Sequence, residues 1–187
     1  VNQEKFLIER ALDGDIKCFE NIVNLYQHRL YCFIFKMTLS KEDTDDLVQE
    51  TFIKVFINLY KYNFKWKFSS WIYKIAVNTI KNYWKKRKRI SSNEVYNSIP
   101  SELYCDFKNN PENKYQTKEN YIEILKIINQ LHYKYKVVVV LRYLNDLSIK
   151  DIATIIGVSP ETVRTRIHRA RERICIEFKK DLKEDII

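Results

Sequence analysis

Apolar residues recur at steps of three and four along most of this chain, the spacing that stacks side chains on one face of a helix. Phe6, Ile8 and Leu12 mark a first helix, and Phe19, Ile22, Val23, Tyr26, Leu30, Phe33 and Ile34 a second, split at Asp13-Gly14-Asp15. Ser40 to Asp43 reads as the cap and first turn of a third helix, with Leu47, Phe52, Val55, Phe56 and Leu59 as its buried stripe. From Tyr60 to Phe68 aromatic residues alternate with lysine or asparagine; the flanking helices favour an ordered loop over a short edge strand. Ser69 or Ser70 then caps a helix with Trp71, Ile72, Ile75, Ala76 and Ile80 inward and Tyr73, Lys74, Asn78, Lys81 and Asn82 outward. The pattern dissolves from Ile90 to about Lys118, among Ser, Asn and two prolines, and this stretch reads as a linker. Periodicity resumes with Tyr121, Ile124, Leu125, Ile128 and Leu131. The apolar run Val137 to Leu141 reads as a buried helix because Tyr133, Val140, Leu141 and Leu144 keep helical spacing. The predicted class is all-α: two small helical domains, residues 1–90 and 119–187, joined by a flexible linker over 91–118, the second a four-helix domain with a helix-turn-helix.

That helix-turn-helix is the most informative stretch. Ile149, Ile152, Ala153 and Ile156 repeat at helical spacing, Gly157 suits the positive backbone angle of a sharp turn, and Ser159-Pro160 restarts a helix with serine as N-cap and proline at the first position. Ala153 is small where the second helix approaches, and Val163 and Ile167 supply that helix's buried side. Its other side carries Arg164, Thr165, Arg166, His168, Arg169, Arg171 and Arg173. A polar first turn followed by arginines fits a recognition helix, in which the leading residues meet base edges and the guanidinium groups meet phosphates. The plainer reading is a surface helix with a solvated cationic face.

Composition narrows the picture. Two glycines and three prolines in 187 residues suit helices, and no apolar run reaches membrane-spanning length. With no secretory signal pattern at its start, the chain is expected in the cytoplasm, with no membrane insertion. The four cysteines, Cys18, Cys32, Cys105 and Cys175, form no CxxC pair and read as buried thiols of a reducing compartment. The net charge of +9 divides unevenly: residues 1–90 hold 17 basic and 10 acidic side chains, 91–118 hold 3 and 4, and 119–187 hold 13 and 10. Two cationic lobes able to meet nucleic acid flank a slightly acidic strip.

Three surfaces carry candidate chemistry. The acids Glu42, Asp43 and Asp45 sit where a helix dipole favours them, but Asp46, Gln49 and Glu50 lie deeper and share one side, an acidic face suited to a basic partner helix. A metal site on Asp46 and Glu50 lacks a third ligand at useful spacing. Tyr60, Tyr62, Phe64, Trp66 and Phe68, interleaved with Lys61, Asn63, Lys65 and Lys67, make a platform for unstacked bases, and about half of these rings are expected to close the core instead. Lys85, Lys86, Arg87, Lys88 and Arg89 end their helix in five consecutive cations, a phosphate-binding terminus favoured by the dipole. His28, His132 and His168 lack the partners that catalysis or metal binding needs, so no catalytic residue, metal or cofactor is expected.

Taken together, DDLVQETFIKVF at 45–56, FSSWIYKIAVNTIKNYWKKRKR at 68–89 and LRYLNDLSIKDIATIIGVSPETVRTRIHRARERI at 141–174 resemble the sigma-70 family of bacterial transcription initiation factors, in its small two-domain extracytoplasmic-function (ECF) group. Asn82, Trp84-Lys85 and Leu131-His132 depart from the family's usual Asp, Leu-Arg and Leu-Pro. The resemblance implies a first domain that reads and opens the −10 element, a second that reads the −35 element, and a linker threading a polymerase channel. It places Asp46, Gln49 and Glu50 against the clamp helices of core RNA polymerase. Single-stranded −10 DNA would meet Tyr60, Tyr62, Phe64, Trp66, Lys67, Phe68, Trp71, Lys74, Asn78, Lys85, Lys86 and Arg87. Double-stranded −35 DNA would meet Ser159, Pro160, Glu161, Thr162, Arg164, Thr165, Arg166, His168, Arg169 and Arg173, and the apolar helices before them would hold the flap tip. An anti-sigma factor is a further implied partner. The expected function is promoter-directed initiation with core polymerase, without enzymatic activity; the alternatives are a stand-alone helix-turn-helix regulator and, third, a nuclease or recombinase.

Overall fold

The computed structural model describes residues 3–90 and 124–184, with side chains through residues 87 and 178 of those stretches. All regular structure among the described residues is helical, and the chain divides into two compact units, Val1–Glu94 and Val95–Ile187. The expected linker, with Cys105 and Tyr121, and the side chains of Lys88 and Arg89, lie outside the described residues.

The first unit holds α1 (Gln3–Leu12), α2 (Ile16–Thr38), α3 (Lys41–Asn58) and α4 (Phe68–Ile90). Asp15 caps α2 by accepting the Cys18 N–H at 3.1 Å, and Ser40 caps α3 by accepting that of Asp43 at 3.3 Å. The core is built by Leu30, Phe33, Ile34 and Met37 of α2, Val55 of α3, and Phe68, Ile72, Ala76 and Ile80 of α4. Burial of such side chains contributes about 1.5–3 kcal/mol each. Several predicted faces are rotated. α1 turns Leu7 and Ile8 inward and leaves Phe6 and Leu12 exposed; Tyr73 is buried with its ring edge-on to Phe33, not outward; Phe56 is 54% exposed instead of joining the buried stripe. α4 begins at Phe68, so Ser69 and Ser70 lie within its first turn and do not cap it.

The second unit holds α5 (residues 124–130), α6 (Tyr133–Val139) continued by a π-helical stretch Val140–Leu144, α7 (Ile149–Ile156) and α8 (Pro160–Glu184). The apolar run at Val137 to Leu141 is buried helix, as its spacing predicts. The π stretch is an addition the pattern does not signal; Arg142 donates to the Leu147 carbonyl at 3.0 Å and ties down its exit. α7 ends at Gly157 with φ 68°, and the N–H groups of Gly157 and Val158 both reach the Ala153 carbonyl, at 2.9 and 3.1 Å. Ile152, Ala153 and Ile155 of α7 bury against Val163, Ile167 and Ala170 of α8; Ile155 and Ala170 extend the predicted seam, while Ile149 and Ile156 are half-buried. Of the cysteines, Cys32 is buried, Cys18 half-buried and Cys175 exposed, so the expectation of buried thiols fails at Cys175, which lies on the solvent side of α8.

Candidate nucleic-acid interface

On α3, Asp46, Gln49 and Glu50 are exposed side by side, four residues of helix placing them on one face. Glu50 pairs with Lys54 at 2.6 Å, and Lys54 also donates to Thr79 of α4 at 3.2 Å, pinning the acidic face to the neighbouring helix. Beside it opens an apolar groove between α2 and α3, lined by Phe19, Val23, Val48, Phe52, Ile53 and Phe56, with Asp45 and Gln49 on its rim. Sequence reading missed this groove because it assigned one stripe to α3. The helix carries two: Leu47, Phe52 and Val55 turn inward, as does Leu59 just past its end, while Ile53, Phe56 and Ile57 remain exposed.

The loop after α3 separates its rings into two sets. Phe68 is 1% exposed and Tyr62 half-buried; Tyr62 packs on Phe68 and Trp71 with centroids 5.0 and 5.5 Å away, and the Tyr26 ring meets Phe68 edge-on at 5.7 Å. Phe68 is therefore a core residue, and its expected base contact is corrected, since a ring only 1% exposed offers no stacking surface. Burial, with the negative charge of Glu4, raises the pKa of Tyr62. The Tyr62 hydroxyl donates to the Trp66 carbonyl at 2.7 Å and fixes the loop's far end. Tyr60, Trp66 and Phe64 are exposed, with the Lys61 ammonium 5.2 Å from the Tyr60 ring centroid and that of Lys5 5.8 Å from the Phe64 centroid. Lys67, Lys74 and Asn78 are exposed on and beside α4, and Trp71 is half-buried.

At the end of α4, Lys85 and Lys86 are exposed. Arg87 is turned elsewhere: its guanidinium pairs with Asp43 at 3.0 Å and lies 5.7 Å from the Tyr83 ring centroid. It fastens α4 to the first turn of α3, so the phosphate contact expected of it would have to share the guanidinium with Asp43.

On α8, the Ser159 hydroxyl accepts the Thr162 N–H at 3.2 Å and Pro160 opens the helix, as a cap and first position should. Glu161 pairs with Arg164 at 3.0 Å, and the Thr165 hydroxyl donates to the Glu161 carbonyl. Backbone hydrogen bonding at its own N–H, then Arg164, lowers the Glu161 pKa. Both partners of that pair are largely exposed, so it holds Arg164 only weakly. Arg164, Thr165, His168, Arg169 and Arg173 are exposed, with Thr162 and Arg166 half-buried beside them. Among the described residues no cluster of His, Cys, Asp or Glu is arranged to hold a metal ion, and no helix is long and apolar enough to cross a membrane.

Both parts of the chain are similar to known proteins. Residues 22–90 match Sigma-70 region 2 and residues 121–174 match Sigma-70 region 4. The chain is 32% identical over 177 residues to the ECF RNA polymerase sigma factor SigW of Bacillus subtilis, covering 89% of this chain and 92% of that protein. It is 35% identical over 176 residues to the ECF RNA polymerase sigma-E factor of Haemophilus influenzae, covering 91% and 93%. Two solved structures share the fold: CnrH in complex with the cytosolic domain of CnrY, at TM-score 0.71, 18% identity and 96% and 99% coverage, and the sigma factor RpoE of Bartonella quintana with the anti-sigma factor NepR, at 0.68, 21%, and 87% and 98%. With both sigma-70 regions matched in order and curated relatives above 30% identity across nine-tenths of its length, the chain belongs to the sigma-70 family of RNA polymerase sigma factors, in its ECF group.

Proposed function

We propose that the first unit docks on core RNA polymerase and opens the −10 element while the second reads the −35 element, with the residues described above dividing these tasks. Asp46, Gln49 and Glu50 meet cationic side chains of the polymerase clamp, and the adjacent groove takes an apolar part of the same partner. Carboxylates on the rim steer the encounter and the apolar floor holds it. Tyr60, Phe64 and Trp66 supply stacking faces for unpaired bases, Asn78 supplies amide hydrogen bonds to a base edge, and Lys67, Lys74, Lys85 and Lys86 neutralise the displaced strand. The first turn of α8 enters the −35 major groove, where Arg164 or Arg166 can bond two acceptors of a guanine.

The observation that carries the reading is the division of the aromatic loop: Phe68 is buried and Tyr62 half-buried against it, while Tyr60, Phe64 and Trp66 are exposed, as is Asn78 on the helix that follows. A stand-alone helix-turn-helix regulator has no use for that loop or for the acidic groove. Bond-making chemistry belongs to the polymerase in this scheme, so the chain acts as a cytoplasmic initiation factor and not as an enzyme. An anti-sigma factor competing for these faces is part of the proposal, on the ground that one fold relative above was solved with the anti-sigma factor NepR and the other with the cytosolic domain of CnrY.

Permanganate footprinting with reconstituted holoenzyme tests the loop. Asn78→Ala and Trp66→Ala are expected to leave closed-complex formation near wild type and to depress thymine reactivity on a fully paired promoter, with recovery on a pre-melted one. Equal defects on both templates, already present in the closed complex, would assign these residues to packing or docking.

A further inference from the structure

Two adjacent residues of α1 reach the aromatic loop, from a helix that precedes the residues matching Sigma-70 region 2. Leu7 and Ile8 are buried and seat α1 on the first unit. Glu4 accepts a hydrogen bond from the hydroxyl of Tyr26, a residue only 5% exposed. From there a chain of contacts runs into the loop. The Tyr26 ring meets Phe68 edge-on at 5.7 Å, Phe68 packs on Tyr62 at 5.0 Å, and the Tyr62 hydroxyl donates to the Trp66 carbonyl at 2.7 Å. Lys5 touches the loop directly, with its ammonium 5.8 Å from the centroid of the exposed Phe64 ring, which also leans on Tyr62 at 5.0 Å. Glu9 approaches the same ammonium at 3.7 Å, but the two side chains are 60% and 51% exposed, so that pair is weak and is readily exchanged for another anion. A cation beside an exposed ring combines the two features that hold an unpaired strand, a stacking surface and a positive charge along its backbone.

We propose that α1 is part of the −10 single-strand site: Lys5 supplies a cation to the backbone of the nucleotide stacked on Phe64, and Glu4 is a positioning residue that holds the loop for that strand through Tyr26. This rests on the reading of the loop as the platform for the unpaired −10 strand and adds to it a helix outside the matched region. Glu4 cannot serve the strand itself, since a carboxylate repels phosphate. Its part is to satisfy a buried hydroxyl and so fix the ring against which Phe68, and with it Tyr62, is packed. Lys5 needs no intermediary, because its ammonium already lies beside the stacking ring on a stem long enough to follow the strand.

The test is binding of reconstituted holoenzyme to a single-stranded oligonucleotide carrying the non-template −10 sequence of a promoter selected with wild-type protein, read by fluorescence anisotropy across a potassium chloride series. Lys5→Ala is expected to weaken binding several-fold and to flatten the slope of log affinity against log salt by about 0.7. Lys5→Met, which covers the ring without a charge, should flatten it equally, and Lys5→Arg should restore both slope and affinity. Glu4→Ala and Tyr26→Phe are each expected to weaken binding several-fold at unchanged slope, with the double variant no worse than either alone. Glu4→Gln still offers Tyr26 an acceptor oxygen and should recover wild-type affinity. An unchanged slope with Lys5→Ala and Lys5→Met overturns the strand contact; additive losses at Glu4 and Tyr26, or no recovery with Glu4→Gln, overturn the positioning role. Trp66→Ala separates the two levels of failure. If it weakens binding while every α1 variant behaves as wild type, α1 lies outside the site and the loop remains the platform; if Trp66→Ala also binds as wild type, the platform reading fails and the role of α1 with it.

Discussion

Replacing Lys136 by methionine is expected to stabilise the second unit and to erase a pH dependence that only a buried amine explains. Lys136 is 3% exposed on α6, beside Val137 and Val138 of the core, with the Asn129 side-chain oxygen accepting a hydrogen bond from its ammonium. Burial pulls its pKa from 10.5 down to about 7. At about 1.4 kcal/mol for each factor of ten in proton affinity, that fall corresponds to about 5 kcal/mol. The unfolded chain keeps the proton until about pH 10.5 and the folded unit only below about pH 7. Between those limits the unfolded state binds more protons, so stability rises with pH, by about 1.4 kcal/mol per pH unit, and is lost as pH falls through 7. Methionine matches the length and apolar stem of lysine, removes the titration, and forfeits the hydrogen bond to Asn129, about 1 kcal/mol. The net gain at pH 7 is expected to be about 3 kcal/mol, shrinking steadily toward pH 9. Urea unfolding at pH 6.5, 7.5 and 8.5, followed by far-UV circular dichroism, reads this difference. Tryptophan fluorescence supplies an internal control, since all three tryptophans, Trp66, Trp71 and Trp84, belong to the first unit and should report no change. Parallel pH profiles for wild type and variant, or a variant less stable at pH 6.5, would show that the amine is solvated and that its burial costs nothing.

Gly157→Ala is expected to destabilise the second unit by about 1 kcal/mol, because φ is 68° there while an added Cβ meets nothing within 4 Å; the penalty is the left-handed backbone alone, and Gly157→Asn should recover part of it in the same unfolding measurement. Phe68→Ala is expected to cost about 3–5 kcal/mol and to lower the melting temperature of the first unit, whereas Trp66→Ala should stay within about 0.5 kcal/mol by scanning calorimetry. Asp46→Ala combined with Glu50→Ala is expected to leave circular dichroism unchanged and to weaken core polymerase binding at least tenfold in a titration; unchanged affinity would remove the acidic face from the interface.

The helices were readable because burial imposes period 3.6 on sequence, and the cap residues at Asp15, Ser40 and Ser159 mark their starts with a local hydrogen bond that needs no distant partner. What a stripe cannot reveal is which of two adjacent apolar rows finds a partner. On α3 the Ile53 and Phe56 row stays exposed and becomes a groove, and on α1 Phe6 yields to Leu7. The alternation from Tyr60 to Phe68 identified a special loop but not its division, since Phe68 packs against Tyr26, 42 positions earlier, a contact that no local window contains. Arg87 looked like its cationic neighbours until Asp43, far away in sequence, claimed it. The start and the buried side of α8 were legible, because Gly157 ends α7 in a left-handed turn and Val163 and Ile167 fix which face of α8 turns inward.

The proposed function is tested most directly by run-off transcription by core RNA polymerase from a randomised promoter library, with and without this chain. It predicts transcripts that depend on the chain and come from templates sharing two separated motifs, one near −35 and one near −10, with the −35 preference relaxed at one position by Arg166→Ala. Transcripts unchanged by the chain, together with tight binding to duplex DNA in the absence of polymerase, would contradict it and leave a stand-alone helix-turn-helix regulator.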